Sequence, residues 1–231
     1  LIVNTSDPDT DEATQTVTLE GTGAEPDASL NRTQVAFGNQ STNETSAERV
    51  VGVTNNGSAN LGIQDLSLTT ASFEVNTSAP DEPLVPGGTL PVAVQVTPQR
   101  GQQNDYLTVR FENRSVANET VSLSVNGIQP DVSVTADQIN FGGVRINGSA
   151  VQTFEINNTG QQTLQVSNIS TSGPFNLSGS QTQLSIASDD SARIGVTFAP
   201  TSLGSVNGTI QFSTTDPTNQ NISLNLTGNG I

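Results

Sequence analysis

The chain contains no cysteine, histidine, methionine, tryptophan or lysine. Without cysteine no disulfide forms, so burial and hydrogen bonding must hold each domain together. Without histidine, no side chain with an ordinary pKa near neutrality is present to act as general base. The thiol nucleophile, the Schiff-base amine and the Cys/His ligand sets of zinc are missing together. Paired carboxylates can hydrolyse glycosides, but such sites usually need an aromatic-lined cleft, and one tyrosine with eight phenylalanines, mostly at predicted core positions, does not supply one. No Gly-rich loop opens a helix to cradle phosphate. The expectation is a non-enzymatic chain with no cofactor. No long apolar run is present, so nothing in these 231 residues spans a bilayer as a helix. With no methionine, the translation start, any signal peptide and any membrane anchor are expected outside this stretch.

Positive charge is scarce. Seven arginines face 22 acidic residues, a net charge of −15, which repels nucleic acid and anionic membranes. Total loss of lysine goes beyond acidity. It points to adaptation to molar salt, where a Debye length of about 3 Å stops an acidic surface repelling itself.

The chain matches itself with a period of about 103 residues. Phe37-Gly38 recurs as Phe141-Gly142, Asn55-Asn56-Gly57 as Asn157-Asn158-Thr159-Gly160, Phe73 as Phe175, Val96-Thr97-Pro98 as Phe198-Ala199-Pro200, and Val125-Asn126-Gly127-Ile128 as Gly228-Asn229-Gly230-Ile231. Ser6-Asp7-Pro8 resembles Thr215-Asp216-Pro217. The expected division is therefore the last two strands of an incomplete upstream repeat at 1–24, one repeat at 25–128 and another at 129–231. A rival reading makes residues 1–24 a strand donor to a neighbouring molecule.

Within each repeat, apolar residues alternate with short polar ones: Leu90, Val92, Val94, Val96; Val121, Leu123, Val125; Ala192, Ile194, Val196, Phe198; Ile222, Leu224, Leu226. Such alternation suits antiparallel sheets wet on one face. Asn56-Gly57, Pro86-Gly87-Gly88, Asn147-Gly148, Ser172-Gly173-Pro174 and Asn207-Gly208 read as turns between strands. With no helical periodicity, the fold class is all-β: tandem immunoglobulin-like β-sandwich domains. Short Pro-Asp linkers (Pro26-Asp27, Pro130-Asp131) leave little slack, so the domains are expected to stack end to end.

Four motifs carry a family resemblance: Phe141-Gly142-Gly143-Val144, Asn158-Thr159-Gly160, Phe198-Ala199-Pro200 and Leu226-Thr227-Gly228-Asn229-Gly230, with a looser set in the first repeat. The pattern resembles the abnormal-spindle/Hydin (ASH) immunoglobulin-like domains, especially the prokaryotic surface repeats known as choice-of-anchor D. The resemblance implies immunoglobulin-type sandwiches in long extracellular arrays, from a haloarchaeon given the composition. It implies no catalytic residue and no specific ligand.

Asn-x-Ser/Thr is the strongest chemical signal. Fifteen such sequons begin at Asn4, Asn31, Asn39, Asn43, Asn56, Asn76, Asn113, Asn118, Asn147, Asn157, Asn168, Asn176, Asn207, Asn221 and Asn225. With 23 asparagines and 55 serines and threonines in 231 residues, chance gives between five and six. Covalent N-glycans on these asparagines imply an exported, surface-located glycoprotein. Asp7, Asp9, Asp11 and Glu12 form a weak calcium candidate, lacking the glycine of a calcium loop. Glu25, Asp27 and Asp131 are linker positions where a cation would stiffen the joint. The only cluster suited to recognition is Tyr106 with Arg110 and Arg114.

The expected function is thus structural: a glycosylated spacer of a cell-surface filament, stalk or sheath. Its partners are other repeats of the same longer chain, self-assembling into a fibre or surface layer. It contacts no nucleic acid, and meets a membrane only through an anchor outside this stretch. The alternative is an adhesin or viral-fibre module that recognises a surface partner.

Overall fold

In the computed structural model, residues 2–4 and 14–231 are described, with side chains from residue 16 onward. There is no helix among them, and hence none long and apolar enough to cross a membrane. A two-stranded antiparallel sheet is formed by β1 (Ile2–Asn4) and β2 (Thr14–Thr16), with Val3 opposite Gln15. Then follow β3 (Ala28–Leu30), β4 (Gln34–Ser41), β5 (Arg49–Asn55), β6 (Ile63–Ser67), β7 (Phe73–Val75), β8 (Thr89–Val96), β9 (Gly101–Phe111) and β10 (Glu119–Ile128). The last stretch holds β11 (Val132–Val134), β12 (Gln138–Val144), β13 (Ala150–Asn158), β14 (Leu164–Thr171), β15 (Phe175–Leu177), β16 (Leu184–Ile186), β17 (Ser191–Phe198), β18 (Gly204–Thr214) and β19 (Asn221–Gly230). Sheet orders are β3-β5-β8-β7, β4-β10-β9-β6, β11-β13-β17-β15 and β12-β19-β18-β14-β16.

Two compact units result: Leu1–Val35 with Glu48–Gln95 and Tyr106–Ser122, and Ala36–Ala47 with Val96–Asp105 and Leu123–Ile231. In the first unit, the inward positions of the alternating strands are closed to solvent: Val51 and Val53 on β5, Val92 and Val94 on β8, Leu107 and Val109 on β9. In the second, both sheets of a sandwich contribute to one core. Phe154, Ile156, Ile194, Val196 and Phe198 come from one sheet; Phe141, Leu164, Ile210, Phe212, Leu224 and Leu226 come from the other. Phe141, Phe175 and Phe198 form a ring cluster with centroids 4.9–5.7 Å apart.

Two strand-level expectations are corrected. Asn207-Gly208 is not a turn but lies within β18, paired with β19. Its glycine is there because a Cβ on Gly208 would sit 2.7 Å from the Phe175 ring and 2.5 Å from the Ser172 carbonyl oxygen. Pairing is also not wholly antiparallel, since β12 runs parallel to β19 with a shift between Asn140 and Gly143. Gly142 supplies the left-handed backbone there, at φ 64°.

The Asn-x-Gly motifs account for the joining of loops. Asn55 is fully buried. Its Nδ2 donates to the carbonyls of Ala59 and Leu84 (both 2.8 Å), and its Oδ1 accepts from the amide of Gly57 (3.0 Å). Asn158 repeats this in the second unit. Its Nδ2 donates to the carbonyls of Gln162, Ile186 and Ala187, and its Oδ1 accepts from the amides of Gly160 and Asp131. At Gly160 a Cβ would collide with the backbone of Gln129 and Asp131, so the turn and the linker are packed main chain on main chain. Asn158→Ala is expected to lower unfolding free energy by about 2–4 kcal/mol, because it strands several buried backbone groups. Gly160→Ala acts in the same direction. Urea unfolding of the single variants checks both.

Candidate functional surface

Side-chain exposure decides what the sequons can do. Of the fourteen sequon asparagines whose side chains are described, Asn31, Asn39, Asn43, Asn56, Asn76, Asn118, Asn147, Asn168, Asn176, Asn207, Asn221 and Asn225 are exposed. Asn113 and Asn157 are half-buried, and none is buried. The fully buried asparagines, Asn55 and Asn158, belong to no sequon. Asn43, Asn147 and Asn168 have left-handed backbone, at φ 60°, 61° and 56°, a conformation that asparagine tolerates and that turns the chain outward. On the outer face of the β12-β19-β18-β14-β16 sheet stand Asn168, Asn207, Asn221 and Asn225.

Some sequon side chains already hold the fold. Asn31 Oδ1 accepts from the Gly52 amide at 2.9 Å, and Asn113 Oδ1 accepts from Gly62 at 3.2 Å. Sugar attaches at Nδ2, so both bonds are compatible with modification. In contrast, Asn56, Asn76 and Asn157 donate from Nδ2, to Ser29, Glu48 and Ser133. There a sugar would replace one of two amide protons.

The calcium candidates Asp7, Asp9, Asp11 and Glu12 lie outside the described residues. Among the described residues no group of three or more His, Cys, Asp or Glu is placed to hold a metal ion. Asp131, a candidate for a linker cation, instead receives Arg100 Nη2 at 2.8 Å. That pair is partly exposed and worth at most about 1 kcal/mol. Tyr106 (58 % exposed) and Arg110 share the outward side of β9, with Arg110 opposite Asp65 of β6. Arg114 is exposed in the loop after β9.

Asp216 went unnoticed in the sequence as a buried group, although the Thr215-Asp216-Pro217 motif contains it. It is fully buried in the β18–β19 loop. Its Oδ2 accepts from the Val132 amide (3.0 Å) and Asn219 Nδ2 (3.2 Å), and its Oδ1 accepts from the Thr218 amide (2.8 Å) and hydroxyl (2.7 Å). The hairpin loop thereby clamps the start of β11. Burial raises the carboxyl pKa, but the bonds from Val132, Thr218 and Asn219 outweigh it and hold the group below its ordinary value. Every donor to the carboxylate comes from this loop or from the start of β11.

Residues 129–231 match the family model Cep192 domain 4. That match covers the second sandwich and supports an ASH-like immunoglobulin-type fold there. The extracellular cadherin domains 1–4 of protocadherin gamma B7 share 10 % identity over 90 % of this chain and 51 % of that one, with a TM-score of 0.50. This chain thus spans about half of that structure, and the likeness is one of fold. An ASH/PapD-like domain of human CEP192 aligns with 43 % of this chain and 84 % of its own length, at 15 % identity and a TM-score of 0.37. A Porphyromonas gingivalis W83 protein of unknown function aligns with 87 % of this chain and 99 % of its own, at 14 % identity and a TM-score of 0.38. No curated protein matches. The architecture is that of immunoglobulin-like β-sandwich domains.

The Asp216 clamp has a pH signature. A carboxyl with a depressed folded pKa contributes stability that is fully present above its unfolded value of 3.8 and is lost as pH falls through the folded pKa. The wild-type urea midpoint is expected to drop in that acidic window. Asp216→Asn is expected to start lower at neutral pH and to lose less on acidification.

Proposed function

We propose that the chain is a non-catalytic spacer of an extracellular, N-glycosylated array, made of tandem immunoglobulin-like repeats divided at 25–128 and 129–231. The observation that carries this reading is the pairing of sequon excess with exposure: fifteen sequons, of which twelve of the fourteen described asparagines are exposed and none is buried. Glycosylation needs an accessible amide and an exported chain, and an exported protein without cysteine has no disulfides to report its compartment. Sugars on the polar faces would supply solubility, and the sandwiches length. The net charge of −15 with no lysine supports a saline environment, and with it a haloarchaeal source. Fibre or surface-layer assembly with further repeats follows from the same reading. The outward face of β9 favours recognition of a surface partner instead, since exposed Tyr106 and Arg110 share it four residues apart.

Intact mass and glycopeptide mapping of the protein from its native source test the proposal. Heterogeneous mass above 23.9 kDa, assigned to several of the fifteen sequons, is the expected result. An unmodified chain would remove the argument for a surface location. Salt adaptation has its own measurement: the thermal midpoint should rise as NaCl goes from dilute buffer to molar concentration. An unchanged midpoint would speak against it.

A further inference from the structure

The outer face of the β12-β19-β18-β14-β16 sheet carries a shallow hollow of about 310 Å³, where Asn168, Ser170, Gln211, Ser213, Asn221 and Ser223 supply the polar groups and Phe212 and Ile222 complete the lining. Strand register explains the arrangement. Ser170, Gln211 and Ser223 are neighbours across β14, β18 and β19, and Ser167, Ser213 and Asn221 form the adjacent row. The β14–β18 register shifts between these rows, between Ser167 and Ser170. Asn168, with φ 56°, occupies that irregularity. A bulge of this kind re-aims a side chain relative to the sheet.

The lining is unusual in what it offers. Hydroxyls and carboxamides converge on it, and no carboxylate or guanidinium takes part. Two sequon asparagines flank it. Neither Asn168 nor Asn221 donates a hydrogen bond from Nδ2 to a described residue. Asn221 is partly committed, since its Oδ1 accepts the Ser213 hydroxyl at 3.2 Å. Asn168 has no such tie and stands on the bulge.

We propose that this hollow seats the innermost sugar of an N-linked glycan on Asn168, held by Gln211, Ser213 and Ser223. The inference rests on the glycosylation reading above and deepens it. The hollow is at the small end of ligand sites, about 300–1,000 Å³, and open, so a free saccharide would bind weakly. A covalent tether changes this, because it supplies an effective concentration in the millimolar range. The linkage forms between Asn168 Nδ2 and the anomeric carbon of a phosphate-activated sugar. The phosphate leaves with the bonding pair, and the displaced Nδ2 proton passes to solvent. Of the sugars on this chain, the one on Asn168 is then a packed part of the structure.

The test uses the 231-residue chain from an N-glycosylating host and the same chain from a host that adds no sugar, with glycopeptide mapping and thermal melting of each. Asn168→Gln is expected to lower the melting temperature by about 3 °C in the glycosylated protein only. Gln211→Ala, which leaves every sequon intact, should remove the same increment while Asn168 stays occupied. Asn221→Gln should leave most of it. The proposal is overturned if Asn168 is occupied but these shifts are equal with and without sugar, or if Asn221→Gln alone removes the increment. It is overturned too if other sequons are occupied and Asn168 is not, an outcome that leaves the glycan coat standing. A chain with no occupied sequon overturns both.

Discussion

The buried asparagine of each sandwich is the constraint on which the loops depend. A thin two-sheet core fixes strands well and loops poorly, since loops carry backbone groups that have no ladder to join. At Asn55 and Asn158 a single carboxamide serves those groups. It closes the turn that follows its own strand and reaches carbonyls of a loop 28 or 29 residues away. Its Oδ1 also meets the amide at the start of the first strand, Asp27 or Asp131. Replacing the group with a hydrophobe of similar size would strip a partner from each of these amides and carbonyls, although the Leu84 carbonyl keeps the Leu61 amide. Among the described residues, no buried side-chain polar atom lacks a hydrogen bond.

In the second sandwich, Asp216 completes this scheme from the other direction. Asn158 holds the amide of Asp131, and Asp216 holds that of Val132. Two successive amides at the start of β11 are thus fixed by side chains from different loops. Along β13 the aromatic cluster lies toward the other end, where Phe198 pairs with Ala150, and glycine sets its fit. The Phe198 ring packs where a Gly228 Cβ would be, and Phe175 packs where a Gly208 Cβ would be. Two glycines inside long strands, costly in isolation, make room for the largest residues of the core.

Most of the strand pattern was legible because its cause is local. Inward and outward residues alternate in the sequence as on the sheet, and Val92, Val94, Val196 and Phe198 are buried as that alternation requires. The eight phenylalanines, most of them expected in the core, are all buried. What could not be read was long-range. Asn207-Gly208 has the composition of a turn, yet its glycine answers to Phe175, a residue from another strand. The parallel run of β12 beside β19 depends on where the chain crosses between sheets, which no local signal records. Asp216 reads as an ordinary turn aspartate until the amide of Val132, 84 residues away in sequence, arrives above it. On the candidate surface, the positions of the sequons were plain and their exposure was not. The bulge that carries Asn168 appears only in the register.

Sequon chemistry and strand geometry share a period. In Asn-x-Ser/Thr the two polar residues are two apart, as are residues on one face of a strand. In Asn168-Ile169-Ser170 and Asn225-Leu226-Thr227 the middle residue is buried, at 4 % and 0 % exposure, while the asparagine faces out. A sandwich with apolar inward positions and Asn, Ser and Thr outward therefore produces sequons as a by-product of its own alternation, so their number alone overstates the case for sugar. Their placement is a stronger argument. The same period that generates a sequon turns the amides of Asn168, Asn207, Asn221 and Asn225 to solvent, on a face where a glycan adds bulk without disturbing the core. At these outward positions folding and modification make little competing demand, whereas Asn157 on β13 spends an Nδ2 proton on Ser133, and a chain poor in aromatics and free of cysteine can carry many outward sites without losing the alternation that folds it.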